Sequence, residues 1–167
     1  MRQRSNSILK YFVIVLLALA PLAQQANSAD ERIPVPEFVL EISLTDEAGK
    51  KLEQAGESIK GTIYFDGDGS PLPDTKTAPF RDVFLGQHGF ELEKAGTLTI
   101  KKASVSREAF SRLKDSNYHY VVNVYSGRRV FARNMLSGCH AYGRVDELKA
   151  GKRIEIRCGL LESPEKE

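Results

Sequence analysis

Hydrophobic and polar positions alternate along most of this chain. Phe38, Leu40, Ile42 and Leu44 interleave with Val39, Glu41 and Ser43, a period of two that predicts a strand with one buried face. The same pattern recurs at 61–65, at 95–100 and most strongly at 117–125. There Tyr118, Tyr120, Val122 and Val124 fall on one face, and His119, Val121, Asn123 and Tyr125 on the other. A last strand places Ile154, Ile156, Cys158 and Leu160 together. Residues 80–92 predict one broken strand or a hairpin punctuated by Gly86 and Gly89. Residues 128–132 are expected to return as a strand after a Ser126-Gly127 turn, and 143–148 to form a short strand or turn. Pro34-Val35-Pro36 reads as an extended lead-in, because the residue before a proline is steered out of the helical region.

Helical signal is sparse. One short helix is expected from about 107 to 115. Ser106 is its N-cap, Glu108 lies in the first turn, and Val105 and Phe110 are placed to staple the cap. Residues 51–56 suggest at most one helical turn, ended by Gly56. The expected fold is therefore mainly β: a small antiparallel β-sandwich with one short helix. The strand–short helix–strand step at 95–125 resembles the arrangement in transthyretin-like and Ig-like sandwiches. That resemblance is one of architecture and brings no family motif with it.

The first thirty residues break the alternation. Arg2, Arg4 and Lys10 precede an uncharged apolar run over 11–20, and small residues follow at 26–29. This is the layout of a secretory signal peptide, 1–29, with cleavage after Ser28 or Ala29. The run is shorter than the roughly 20 apolar residues of a membrane helix, so no integral anchor is expected in the mature chain. Domain organisation follows: signal peptide 1–29, a single β-sandwich domain 30–162 and a charged tail 163–167. The expected address is the periplasm, or the medium.

Excluding the leader changes the electrostatics. The whole chain carries 24 Lys+Arg against 22 Asp+Glu. Without Arg2, Arg4 and Lys10 the balance is 21 against 22, a net charge of −1. The basic isoelectric point of the full chain, about 8.5, therefore gives no argument for nucleic-acid binding. The two cysteines, Cys139 and Cys158, are expected to form one disulfide. Closing a loop of that length stabilises by roughly 3 kcal/mol. A reactive Cys139 activated by His140 is the competing reading, weakened because adjacent strand side chains point apart.

Candidate chemistry is thin. Asp66 and Asp68 lie in a Gly- and Pro-rich stretch, 66–74, that reads as a turn. They are weak candidates for a cation, but the positions an EF-hand loop needs hold Ser70, Pro71 and Thr77. His88, His119 and His140 show no metal-ligand spacing, and no nucleophile or phosphate-loop motif is present. No cofactor is implied. The segment 125–144 stands out because Arg128, Arg129, Arg133 and Arg144 surround Tyr125, Phe131 and Tyr142, residue types that anchor protein interfaces. These seven form the expected partner-binding set. The expected function is an exported binding or accessory protein that engages another envelope protein or macromolecule. The alternatives are an inhibitor or immunity protein against an envelope-acting enzyme, and a small periplasmic enzyme or weak metal binder.

Overall fold

The structure is a computed structural model, and it describes residues 31–69 and 82–161. The signal peptide, the 70–74 part of the expected turn and the 163–167 tail lie outside the described residues. Within them the chain is mainly β. The strands are β1 (Arg32–Pro34), β2 (Phe38–Leu44), β3 (Ile59–Asp68), β4 (Asp82–Leu92), β5 (Gly96–Ile100), β6 (Ser104–Ser106), β7 (His119–Ser126), β8 (Leu136–Ser137), β9 (His140–Arg144) and β10 (Arg153–Leu160). Two α-helices, α1 (Asp46–Ala55) and α2 (Arg107–Phe110), and one 3-10 turn at Val145–Glu147 interrupt them.

The strands form two four-stranded sheets, ordered β5-β2-β10-β8 and β4-β3-β7-β9, plus the β1-β6 ribbon. Alternation decides which faces turn inward. Phe38, Leu40 and Ile42 of β2, Ile154, Ile156 and Cys158 of β10, and Tyr120, Val122 and Val124 of β7 are all buried in one cluster. The rings of Phe38 and Tyr120 stack 6.1 Å apart, one from each sheet. The sulfurs of Cys139 and Cys158 lie at bonding distance, 2.22 Å. They tie the segment before β9 to β10, and so one sheet to the other.

Four expectations are corrected. All but one of the strand pairings among the described residues are antiparallel; the exception is β2 with β10, which run parallel from Arg153↔Val39 to Cys158↔Leu44. Alternation is blind to strand direction, and no hairpin joins these two distant segments. There is also more than one helix. Residues 46–55 form ten residues of α-helix, with Thr45 Oγ1 accepting from the Ala48 amide at 3.3 Å and Gly56 closing the helix at φ 66°. Gly49 in mid-helix hides that signal from a propensity argument, because glycine is a poor helix former; burial of Ala48 and Leu52 outweighs it. The expected helix at 107–115 stops after Phe110, although Ser106 caps it as expected by accepting from Ala109. Residues 128–132 form no strand. A smaller difference concerns Asp66 and Asp68, which lie within β3 rather than in a turn. Asp66 pairs with Phe84 on one side and His119 on the other, and this two-sided ladder overrides the local turn preference of Asp-Gly.

A loop strung on a buried carboxylate

The segment between β7 and β8 is a loop whose backbone amides are collected by one side chain. Glu57 follows the C-cap glycine of α1 and is 3% exposed. Its Oε1 accepts from the amides of Ser58 and Arg129, each at 3.0 Å. Its Oε2 accepts from Val130 at 2.9 Å and Phe131 at 3.1 Å. Burial by itself raises a carboxyl pKa, but the backbone amides of Val130, Arg129, Phe131 and Ser58 overcome that penalty and lower Glu57 to about 2. Three consecutive loop amides that have no ladder partner are thus satisfied by a charge.

The neck of the loop is closed by Ser126 and Asn134. Asn134 Oδ1 accepts from the Ser126 amide at 2.9 Å and the Leu136 amide at 3.0 Å, and Ser126 Oγ accepts from the Met135 amide at 2.9 Å. Gly127 donates to the Ser58 carbonyl at 2.7 Å. A Cβ at Gly127 would sit 1.9 Å from Ser58 Oγ, so only glycine admits this approach.

Arg129 supplies an outer strut. Its guanidinium meets Glu91 Oε1 at 2.6 Å and Glu93 Oε2 at 2.7 Å, both at the end of β4. Ser58 Oγ donates to the same Glu91 oxygen at 2.7 Å. The Ser58 and Arg129 bonds hold Glu91 below the usual carboxylate range, and Arg129 does the same for Glu93. The ammonium of Lys51 on α1 lies 5.7 Å from the centre of the Phe131 ring, within cation–π reach.

Besides Arg129 and Ala132, the loop exposes Arg128, Val130 and Arg133 to solvent. Val130 is 59% exposed. Arg128 takes a left-handed conformation, φ 59°, which costs a non-glycine residue of order 1–3 kcal/mol. The guanidinium groups of Arg128 and Arg133 make no hydrogen bond or ion pair among the described residues.

The seven expected partner-binding residues are divided between the loop with the adjoining end of β7 and strand β9. Arg128, Arg129, Phe131 and Arg133 share the loop. Tyr125 adjoins it on β7, its hydroxyl 3.3 Å from Thr62 Oγ1. Tyr142 and Arg144 lie on β9 opposite Val121 and His119, four and six residues back along β7 from Tyr125. At about 3.4 Å per residue that is on the order of 14 and 20 Å away. Tyr142 is 80% exposed, whereas Arg144 is engaged by Asp146 and by Asn117 Oδ1. Two of the four arginines therefore have carboxylate partners within the chain. Glu57, the residue that organises the loop, escapes sequence reasoning. A glutamate after a helix-terminating glycine looks like ordinary surface, and three of its four amide donors lie 72 to 74 residues away.

Asp66 is shifted upward by burial and by Asp82, with His119 opposing. Among the described residues no group of three His, Cys, Asp or Glu side chains is arranged to hold a metal ion, and no helix is long and apolar enough to cross a membrane. No family model, curated protein or solved structure matches the chain.

Proposed function

We propose that this chain is an exported β-sandwich protein, periplasmic or secreted, that binds an acidic surface on another envelope macromolecule through residues 128–133. The supporting observation is the Glu57 cradle. It fixes the backbone of an exposed loop before any partner arrives, and preorganisation lowers the entropy cost of association. Arg128 and Arg133 supply positive charge that meets no carboxylate among the described residues, and Val130 supplies an apolar tip. Such a surface steers toward, and desolvates against, an acidic partner. The apolar leader in the sequence and the bonded cysteine pair are what favour an address outside the cytosol. Tyr142 and Arg144 fall outside this footprint and are assigned no part in it.

The test is capture from an envelope extract by the immobilised wild-type chain and by the Arg128→Glu, Arg133→Glu double variant. Wild type is expected to retain a partner that elutes with rising salt. The double variant should lose it, with a melting temperature within about 2 °C of wild type, since surface changes of this kind stay within about ±0.5 kcal/mol. Equal capture by both proteins would overturn the reading. If the captured partner is an enzyme and loses activity on binding, the role is that of an inhibitor or immunity protein.

A further inference from the structure

A cavity lies at the base of α1, on the side facing the turn between β4 and β5. Its volume is about 550 Å³, within the ~300–1,000 Å³ range of small-molecule sites. The floor is apolar: Leu44, Leu52, Ile59 and Ala95, of which Leu52 and Ile59 are buried core residues. One wall is a single face of α1, where Asp46, Gly49 and Glu53 recur at helical spacing and Gly56 closes the helix. The two glycines keep that wall open. A Cβ on Gly49 would find only the Leu44 Cβ, at 4.0 Å, and one on Gly56 would find nothing within 4 Å.

The cavity is strongly one-signed. Asp46, Glu53, Glu57 and Glu93 line it, against Lys94 alone. Two of these acids are already spent: Glu57 on backbone amides and Glu93 on Arg129. Asp46 and Glu53 make no side-chain hydrogen bond or ion pair among the described residues. Acidity is not a general property of this helix, because the groove on its other flank is lined by Lys50, Lys51 and Glu47.

We propose that this cavity binds a small organic cation with an apolar stem, such as an aliphatic ammonium. The stem lies on Leu44, Leu52, Ile59 and Ala95, and the charged head lies at the solvent-exposed rim, along the α1 face that carries Asp46 and Glu53. Apolar burial supplies affinity for any stem of that size. The two unpaired carboxylates select the sign of the head. The site is separate from the loop tip and requires no macromolecular partner.

The experiment is an amide NMR titration of the full chain with n-octylammonium, n-octanoate and n-octanol, all below micelle-forming concentrations. Octylammonium is expected to shift the amides of Gly49, Gly56 and Ala95 and to bind about tenfold or more tightly than octanoate, a gap typical of two nearby charges at high dielectric. In Asp46→Asn, Glu53→Gln the preference for ammonium over carboxylate should shrink to about threefold or less, with octanol binding unchanged. Gly49→Leu, which fills the mouth, should abolish binding of all three. Circular dichroism melts establish that each variant folds, and the charge variant carries the test alone if Gly49→Leu does not. Octanoate binding as tightly as octylammonium, shifts confined to other residues, or no binding at all would each overturn the proposal.

Discussion

Two irregular segments flank β8, and they are held by opposite means. Residues 127–133 hang on a buried carboxylate that gathers amides from afar. Residues 138–139 are fixed by a covalent link from Cys139 to Cys158 in β10. Hydrogen bonding fixes the loop backbone atom by atom but only while Glu57 is ionised. The cystine fixes one point, irrespective of protonation, and acts mainly by restricting the unfolded chain. The first device specifies the course of a whole stretch of backbone. A seam that only has to stay closed is served by the second.

The sharpest way to break this contrast is Glu57→Ala. It strands three loop amides and the Ser58 amide, and orphaned buried donors cost about 1–3 kcal/mol each before water re-enters. A loss of about 3–5 kcal/mol is expected, readable as a lower urea midpoint, together with rapid hydrogen exchange at 129–131. The same dependence appears as acid sensitivity in wild type. Glu57 has its ordinary value of 4.5 in the unfolded chain and about 2 in the folded one. Its contribution is thus complete above pH 4.5 and is lost as pH falls towards 2. An acid titration of stability should fall through that window in wild type and more shallowly in Glu57→Gln.

Reducing the cystine, or replacing Cys139 and Cys158 by serine, is expected to cost roughly 3 kcal/mol for a loop of this length. Exchange at 129–131 should rise no more than global stability dictates. A selective rise there would mean that the two devices are one. The smallest effect is expected from Arg129→Ala. Its ion pairs to Glu91 and Glu93 are solvent-facing, and exposed pairs contribute about 0–1 kcal/mol. A melting shift beyond that range would mean that the outer strut, and not Glu57, carries the loop.

Much of the fold was legible in the alternation. The alternation sorts the side chains of β2, β7 and β10 onto two faces residue by residue, because the side-chain period of a strand is two. The cysteine pair followed from an even count. What escaped depends on partners distant in sequence. The parallel partner of β2 lies over a hundred residues on, and α1 is stabilised by tertiary burial of Ala48 and Leu52 despite Gly49. The candidate loop is conspicuous in the sequence by its composition. Its arginines and aromatics drew attention as one cluster, but two of those arginines balance carboxylates at home, and Tyr142 and Arg144 stand on a different strand. The glutamate that shapes it carries no local signature.

The side-by-side pairing of β2 with β10 has a consequence for the order of assembly. The strand made early cannot find its central neighbour until residues 153–160 have been synthesised, and the ladder between them then closes one of the longest spans in the chain. Folding should be slow, dominated by distant contacts. A nascent chain halted near residue 150 should remain open along β2, its hydrogen-bonding edge exposed to whatever strand arrives first.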